Sequence, residues 1–365
     1  MQLISSRGIE MTAVESDFSI IICAYTEERW EDLGAAIKSV QAQILSPREI
    51  IVVIDHNPVL LKRLRLHLHL QADWPSDDGI ILIENSEPKG LSGARNSGIA
   101  VARGNLIAFL DDDAVAAPDW LVRLSEGYRQ PEVLGMGGAI EPMWLTGRPR
   151  WFPAEFNWVV GCTYLGMPLT VQPVRNLIGC NMSFRRELFE GVGGFRNGIG
   201  RVGKRPVGCE ETELCIRASQ KWPDLKFIYD PQAKVQHRVP ASRASWNYFR
   251  SRCYAEGLSK ALVTKLVGAS KGLNTERNYI LKTLPGGVGG GISHTLRTRD
   301  FSGFGRSGAI AAGLTITVFG YIKGKFSNSN SLSSDLSQSQ FLKNDSSSIV
   351  GSMPDSLYIE TGLTS

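Results

Sequence analysis

No two of the six cysteines (Cys23, Cys162, Cys180, Cys209, Cys215, Cys253) stand at C-x-x-C spacing in this 365-residue chain. That absence excludes zinc-ribbon and disulfide-framework classes, and the scattered thiols read as reduced and intracellular. No apolar run follows Met1, since the residues up to Asp17 are polar and mixed, so a secretory leader is not expected. The uncharged stretch Ser307 to Ile322 falls short of the roughly 20 residues a spanning helix needs, which favours docking on a membrane over crossing it. Neither glycine-rich stretch, GLSGARNSG from Gly90 or GGVGGG from Gly286, has the G-x-G-x-x-G spacing of a dinucleotide loop. No internal repeat is visible.

The chain does have enough apolar material, 42% of its residues, for one large domain or two smaller ones. Its charge is unevenly spread. Arg238 to Arg306 carries twelve Lys/Arg against Glu256, Glu276 and Asp300, an excess of nine in a chain whose total is +4. Such a block suits a diphosphate, a lipid phosphate or a membrane surface, or it is simply a solvated face.

Short β-branched runs recur along the first third: FSIIIC from Phe18, EIIVVID from Glu49, Ile80 to Ile83, and Leu106 to Leu110, with helical stretches such as Asp32 to Gln43 between them. Buried strands alternating with helices predict an α/β fold with a sheet covered on both faces, and ligands then bind at the carboxyl ends of the strands. Beyond Trp120 the pattern loosens. Trp144, Trp151, Phe152 and Trp158 form either an acceptor wall or ordinary core. A helix is expected from Glu210, a strand over Lys226 to Tyr229 ending in a turn at Pro231, and a longer helix over Ser245 to Leu266. The implied organisation is an extension over 1–17, a sheet domain over 18–266, a basic glycine-rich segment over 267–325 with GGVGGG as a flexible joint, and a Ser/Asn-rich tail over 326–365. That tail is too poor in apolar side chains to offset the entropy of ordering.

Three adjacent carboxylates, Asp111, Asp112 and Asp113, follow the apolar run ending at Leu110. Unpaired they would repel one another; Mg²⁺ or Mn²⁺ would resolve this and could bridge the phosphates of a departing nucleoside diphosphate. The alternative is an exposed acidic turn. Asp55 ends EIIVVID, where it either accepts a base N–H or forms an Asx turn into Pro58. Arg95, within GLSGARNSG, is a planar donor able to grip a phosphate or a base carbonyl. Glu210 and Glu211 open a predicted helix, where the macrodipole alone would favour them, or where one could serve as general base. His237 in VQHRVP could complete a metal site. Arg243, Arg250 and Arg252 could hold a phosphate, or line a wet helix face.

Taken in order, IIICAYTEE, EIIVVID, GLSGARNSGIA, AFLDDD, IGCNMSFRRELF, GCEETELCIR and VQHRVP resemble glycosyltransferase family 2 across Phe18 to Lys260. The resemblance implies the GT-A fold, a Rossmann-like mixed sheet with helices on both faces, and inverting transfer of sugar from a nucleotide-sugar, UDP-linked by preference. It places Tyr25, Glu27, Asp55, Arg95 and Asp112 at the donor nucleotide. Asp111, Asp113 and His237 fall at the metal, with Asp113 the direct ligand. Glu211 stands where the family has a general-base Asp, and the extra methylene leaves Glu210 and Glu211 both in contention. The acceptor is a glycan or lipid-linked phosphate; nucleic acid is not an expected partner, and the implied location is cytoplasmic, held peripherally by charge on a membrane's cytoplasmic face. Two other readings compete. A nucleotidyltransferase would carry a basic glycine-rich loop after the first strand, where AYTEERW stands, and a non-catalytic nucleotide-sugar sensor would have lost turnover.

Overall fold

The computed structural model describes residues 17–70, 79–199, 208–268 and 279–326. The expected extension and tail lie outside these residues but for Asp17 and Phe326. The chain begins with β1 (Phe18–Ala24), a 3-10 turn (Glu27–Arg29) and α1 (Trp30–Gln41), followed by β2 (Glu49–Ile54), α2 (Pro58–Leu70), β3 (Ile80–Glu84) and α3 (Leu91–Val101). It continues with β4 (Leu106–Asp111), β5 (Ala114–Ala116), α4 (Trp120–Gly127) and β6 (Val133–Trp144). A 3-10 turn (Ala154–Val160) precedes β7 (Gln172–Val174), β8 (Asn181–Arg185), α5 (Arg186–Val192), α6 (Glu210–Lys221) and β9 (Lys226–Val239). Three helices close the described chain: α7 (Trp246–Val267), α8 (Leu284–Thr298) and α9 (Ser302–Phe326).

One mixed sheet runs β3-β2-β1-β4-β8-β6-β9-β5, with β7 on β9. The first four strands are parallel, so their carboxyl ends share one edge, and Tyr25, Asp55 and Asp111 all stand there. Every residue of β2 is buried, as continuous β-branched strands covered on both faces should be. Beyond β4 the direction alternates: β8 is antiparallel to both β4 and β6, while β6 and β9 are parallel. Two apolar clusters lie on opposite sides, one containing Ile20, Ile22, Val52 and Trp120, the other Ile21, Val53, Phe109 and Phe184.

Two expectations need correction. Pro231 does not end a strand. β9 continues to Val239 because the extra residues loop out as a bulge, so that Gly138 pairs Asp230 while Ile140 pairs Val235. A Cβ on Gly138 would stand 1.8 Å from the Ala233 carbonyl oxygen, which is why glycine occupies the partner position. The GGVGGG stretch is not a joint; it is helical, inside α8. Tertiary contact overrides its low helix propensity, since Gly287 presses on Glu155, and Gly291 on Ser307 and the backbone of Gly303.

The last helices are fastened to the sheet domain. Tyr279 donates its hydroxyl hydrogen to the Glu155 carbonyl (2.5 Å) and accepts from Trp158 Nε1 (3.1 Å). Helix α9 lies along α7, its Gly320 against the Tyr254 backbone. Phe152 and Phe156 are buried core, with rings 5.5 and 5.3 Å from that of Phe249. No described helix is long and apolar enough to cross a membrane.

Candidate active site

At the shared strand edge lies a cleft of ≈ 510 Å³, open to solvent and lined by Tyr25, Arg29, Asp55, Asp111, Asp112 and Asp113 among others. The Asp55 carboxylate is buried and accepts from Asn85 Nδ2 (2.7 Å) and from the Gly90 backbone N–H (3.0 Å). These bonds hold it at the cleft wall. Asn57 donates to the Tyr25 carbonyl (3.0 Å) and to Glu27 (2.9 Å), and the second bond lowers the Glu27 carboxyl's pKa. The turn after β1 is thus tied to the turn after β2.

The three aspartates diverge in environment. Arg29 donates to Asp112 Oδ1 (2.6 Å) and stands 3.2 Å from Asp113 Oδ2, which also takes Arg243 at 3.2 Å. His237 Nε2 lies 3.1 Å from Asp113 Oδ1. Burial works to raise the Asp113 carboxyl, but His237, Arg29 and Arg243 outweigh it and hold it well below the usual range. Asp112 has only Arg29, and burial pushes it up to about 7. Among the described residues its Oδ2 is a buried acceptor without a donor. His237 is itself raised to about 10, because the Asp113 carboxylate outweighs the opposing effect of burial.

The site would hold a divalent cation in one place. The Asp111 carboxylate, the Cys180 sulfur and a His237 ring nitrogen converge within 4.8 Å of one another. A carboxylate oxygen, a thiol sulfur and an imidazole nitrogen so gathered form a donor set that fits a divalent cation. Asp113 stands next to this group, bonded to His237. Cys180 carried no role in the sequence reading, although it sits in the IGCNMSF run one residue before β8. The only signal was its register: β8 pairs Asn181 with Leu110, which sets Cys180 level with Asp111. Likewise β9 pairs His237 with Ala114, bringing the imidazole to Asp113.

Arg95 does not face the cleft. It is 2% exposed, donates to Glu210 (2.8 Å) and to the Gly179 carbonyl (3.2 Å), and stands 3.6 Å from Asp111. Phe109 and Phe195 rings flank its guanidinium at 5.7 and 5.3 Å. Its guanidinium is therefore taken up by Glu210, Gly179 and Asp111 rather than presented to the cleft. A Cβ at residue 179 would come within 3.0 Å of the guanidinium, so glycine is needed there.

Helix α6 starts from Cys209, held at φ 74, a left-handed conformation rare for a side-chain-bearing residue and costly enough to mark a constrained site. Its first two residues separate in role. Glu210 is buried against Arg95, whereas among the described residues Glu211 accepts only from the Thr212 hydroxyl (3.4 Å). Burial, then the charge of Glu210, raise the Glu211 carboxyl to about 8. A carboxylate tuned upward in this way is suited to accept a proton near neutral pH.

The profile of the family described as Glycosyl transferase family 2 matches residues 19–193. A "Glucosyl-dolichyl phosphate glucuronosyltransferase" of Haloferax volcanii is 33% identical over 267 residues, 73% of this chain and 82% of that protein. "Succinoglycan biosynthesis protein ExoM" of Rhizobium meliloti is 26% identical over 69% of this chain and 80% of its own length. Among solved structures, a mannosyltransferase from Pyrobaculum calidifontis in complex with GDP-Man and Mn²⁺ superposes with a TM-score of 0.51 at 16% identity, covering 84% of this chain and 88% of its own.

Proposed function

Since the chain belongs to glycosyltransferase family 2 and has the GT-A fold, making it a glycosyltransferase, we propose that it transfers a sugar from a UDP-sugar to a lipid-linked acceptor by a single inverting displacement. The observation that carries this reading is the division of the α6 carboxylates. Glu210 is taken by Arg95, so Glu211 is the group left to accept the acceptor's proton as its oxygen attacks the sugar carbon. The nucleoside diphosphate departs on the opposite side, and no covalent sugar intermediate is needed.

Asp55, Tyr25, Glu27 and Asp112 would bound the nucleotide, and Arg29 supplies positive charge at the cleft. Asp111 and His237, with Asp113 beside them, would hold Mg²⁺ or Mn²⁺, whose chemistry is to neutralise charge on the departing diphosphate. Arg95 joins the two halves, since one guanidinium faces both Asp111 and Glu210.

The acceptor class rests on the Haloferax relative, which is named for glucosyl-dolichyl phosphate. It is also supported by exposed apolar and basic side chains on α8, α9 and the turn between them, where Leu296, Phe301 and Phe319 accompany Arg297, Arg299 and Lys325. Such a surface suits peripheral, salt-sensitive attachment to anionic lipid. Retention on membranes after an alkaline wash would be incompatible with it.

The test is release of UDP from a panel of UDP-sugars, UDP-glucuronate first, with Mn²⁺ or Mg²⁺ and a polyprenyl-phosphate glycoside as acceptor. Metal-dependent release that Asp113→Ala and Glu211→Gln both abolish is the expected result. Binding of UDP without turnover of any donor would instead favour a nucleotide-sugar sensor.

A further inference from the structure

Cys180 is a buried ligating group that the transfer reaction leaves without a role. Its sulfur shares one space with the Asp111 carboxylate and a His237 nitrogen, all within 4.8 Å. Its place is tightly determined on both sides. The Gly179 carbonyl accepts from Arg95 (3.2 Å). The wholly buried Asn181 side chain donates to the Ala139 and Ala233 carbonyls (3.0 and 2.8 Å) and accepts from Trp120 Nε1 (2.8 Å). Residue 180 cannot drift far between these two anchors, and the β4–β8 register holds it level with Asp111.

We propose that Cys180 is a direct ligand of the cation at this site, giving an oxygen, nitrogen and sulfur donor set from Asp111, His237 and Cys180. Metal–ligand bonds of about 2.0–2.3 Å would require these atoms to close by at most about 1.5 Å. The thiol proton and one ring proton of His237 leave to solvent as the metal–sulfur and metal–nitrogen bonds form. A sulfur donor disfavours hard Mg²⁺ and favours borderline cations such as Co²⁺ and Zn²⁺. The site therefore prefers a softer ion than an all-oxygen carboxylate site would. The inference deepens the transferase reading and rests on it only in placing the cation at the same strand edge.

The test is optical and independent of turnover. Co²⁺ is added to the full chain, binding is followed by equilibrium dialysis, and the near-ultraviolet thiolate-to-cobalt charge-transfer absorption is recorded. The expected result is bound Co²⁺ with that absorption, lost in Cys180→Ser and kept in Cys23→Ser and Cys162→Ser. Cys180→Ser should also weaken Co²⁺ binding relative to Mg²⁺ by about tenfold or more, since even outer partners of metal ligands are worth that much. Bound Co²⁺ without charge transfer in the unmodified chain, or absorption that survives Cys180→Ser, overturns the ligand assignment and leaves the transferase reading standing. No Co²⁺ bound at all overturns both the assignment and the cation site. If Cys180→Ser fails to fold, absence of the absorption in the unmodified chain still overturns the assignment, and Cys180→Ala supplies the comparison that otherwise tests it.

Discussion

Two groups of adjacent carboxylates, one at the end of β4 and one at the start of α6, each split into a cation-paired acid and a raised neighbour, but the cations that divide them differ in number and origin. At β4, two arginines and a histidine converge on Asp113 and keep it ionised, while its neighbour Asp112 is left to rise to about 7. At α6, the single buried guanidinium of Arg95 goes to Glu210, and Glu211 rises to about 8. Adjacent acids therefore acquire different roles according to where cations are delivered. Arg95 couples the two groups, because it touches both Glu210 and Asp111.

The largest effect expected from breaking this arrangement is at the proposed base. Glu211→Gln should lower the transfer rate by about 10²–10⁴-fold, the usual worth of a general base, with little change in UDP affinity measured by calorimetry. Glu210→Gln should leave far more activity, and equal losses in the two variants would erase the distinction between them.

Next in size, Arg95→Met strands Glu210 beside Asp111 with no cation. It should cost about 3–5 kcal/mol of stability, as breaking a buried pair does, read by urea denaturation. A double variant, Arg95→Met with Glu210→Gln, should recover part of that loss. Arg29→Gln is milder, because that side chain is 20% exposed; about 1–2 kcal/mol is expected from losing its charge-assisted bond to Asp112.

The smallest effect is a shift along the pH axis. As the proposed base Glu211 would act deprotonated, so activity should climb with pH and level off above about 8. Removing the Glu210 charge in Glu210→Gln takes away a repulsion and should move that limb to lower pH. The stability contribution has the opposite sense. A carboxyl raised from 4.5 to about 8 binds its proton more tightly when folded, so its contribution is full below pH 4.5 and is lost as pH rises through 8. A pH–rate profile and a pH series of melting curves should therefore slope in opposite directions over this window.

Much of the first half was legible because its strands are short, continuous and β-branched. Burial on both faces demands that composition, and the observed limits of β1, β2 and β4 lie within a residue or so of the runs that announced them. The cleft residues Tyr25, Asp55 and Asp111 follow from the same rule, since polar residues after parallel strands share one edge. β6 was not legible. Its Gly135, Gly137 and Gly138 look like breakers, yet each lies where a neighbouring strand or side chain leaves no room for a Cβ. The same confusion hid the helix across GGVGGG and the continuation of β9 past Pro231.

By itself the sequence determined the alternating α/β order and the positions of Asp111–Asp113 and Glu210–Glu211, because local pattern and strand composition are written residue by residue. Only the tertiary structure decided which acid each cation meets. That Arg95 turns inward to Glu210, that His237 lies on Asp113, and that Cys180 comes level with Asp111 all depend on contacts between segments from about 70 to over 120 residues apart. No local pattern carries that information; it follows from the pairing of β8 with β4 and of β9 with β5, and, for Arg95, from the approach of α6 to α3.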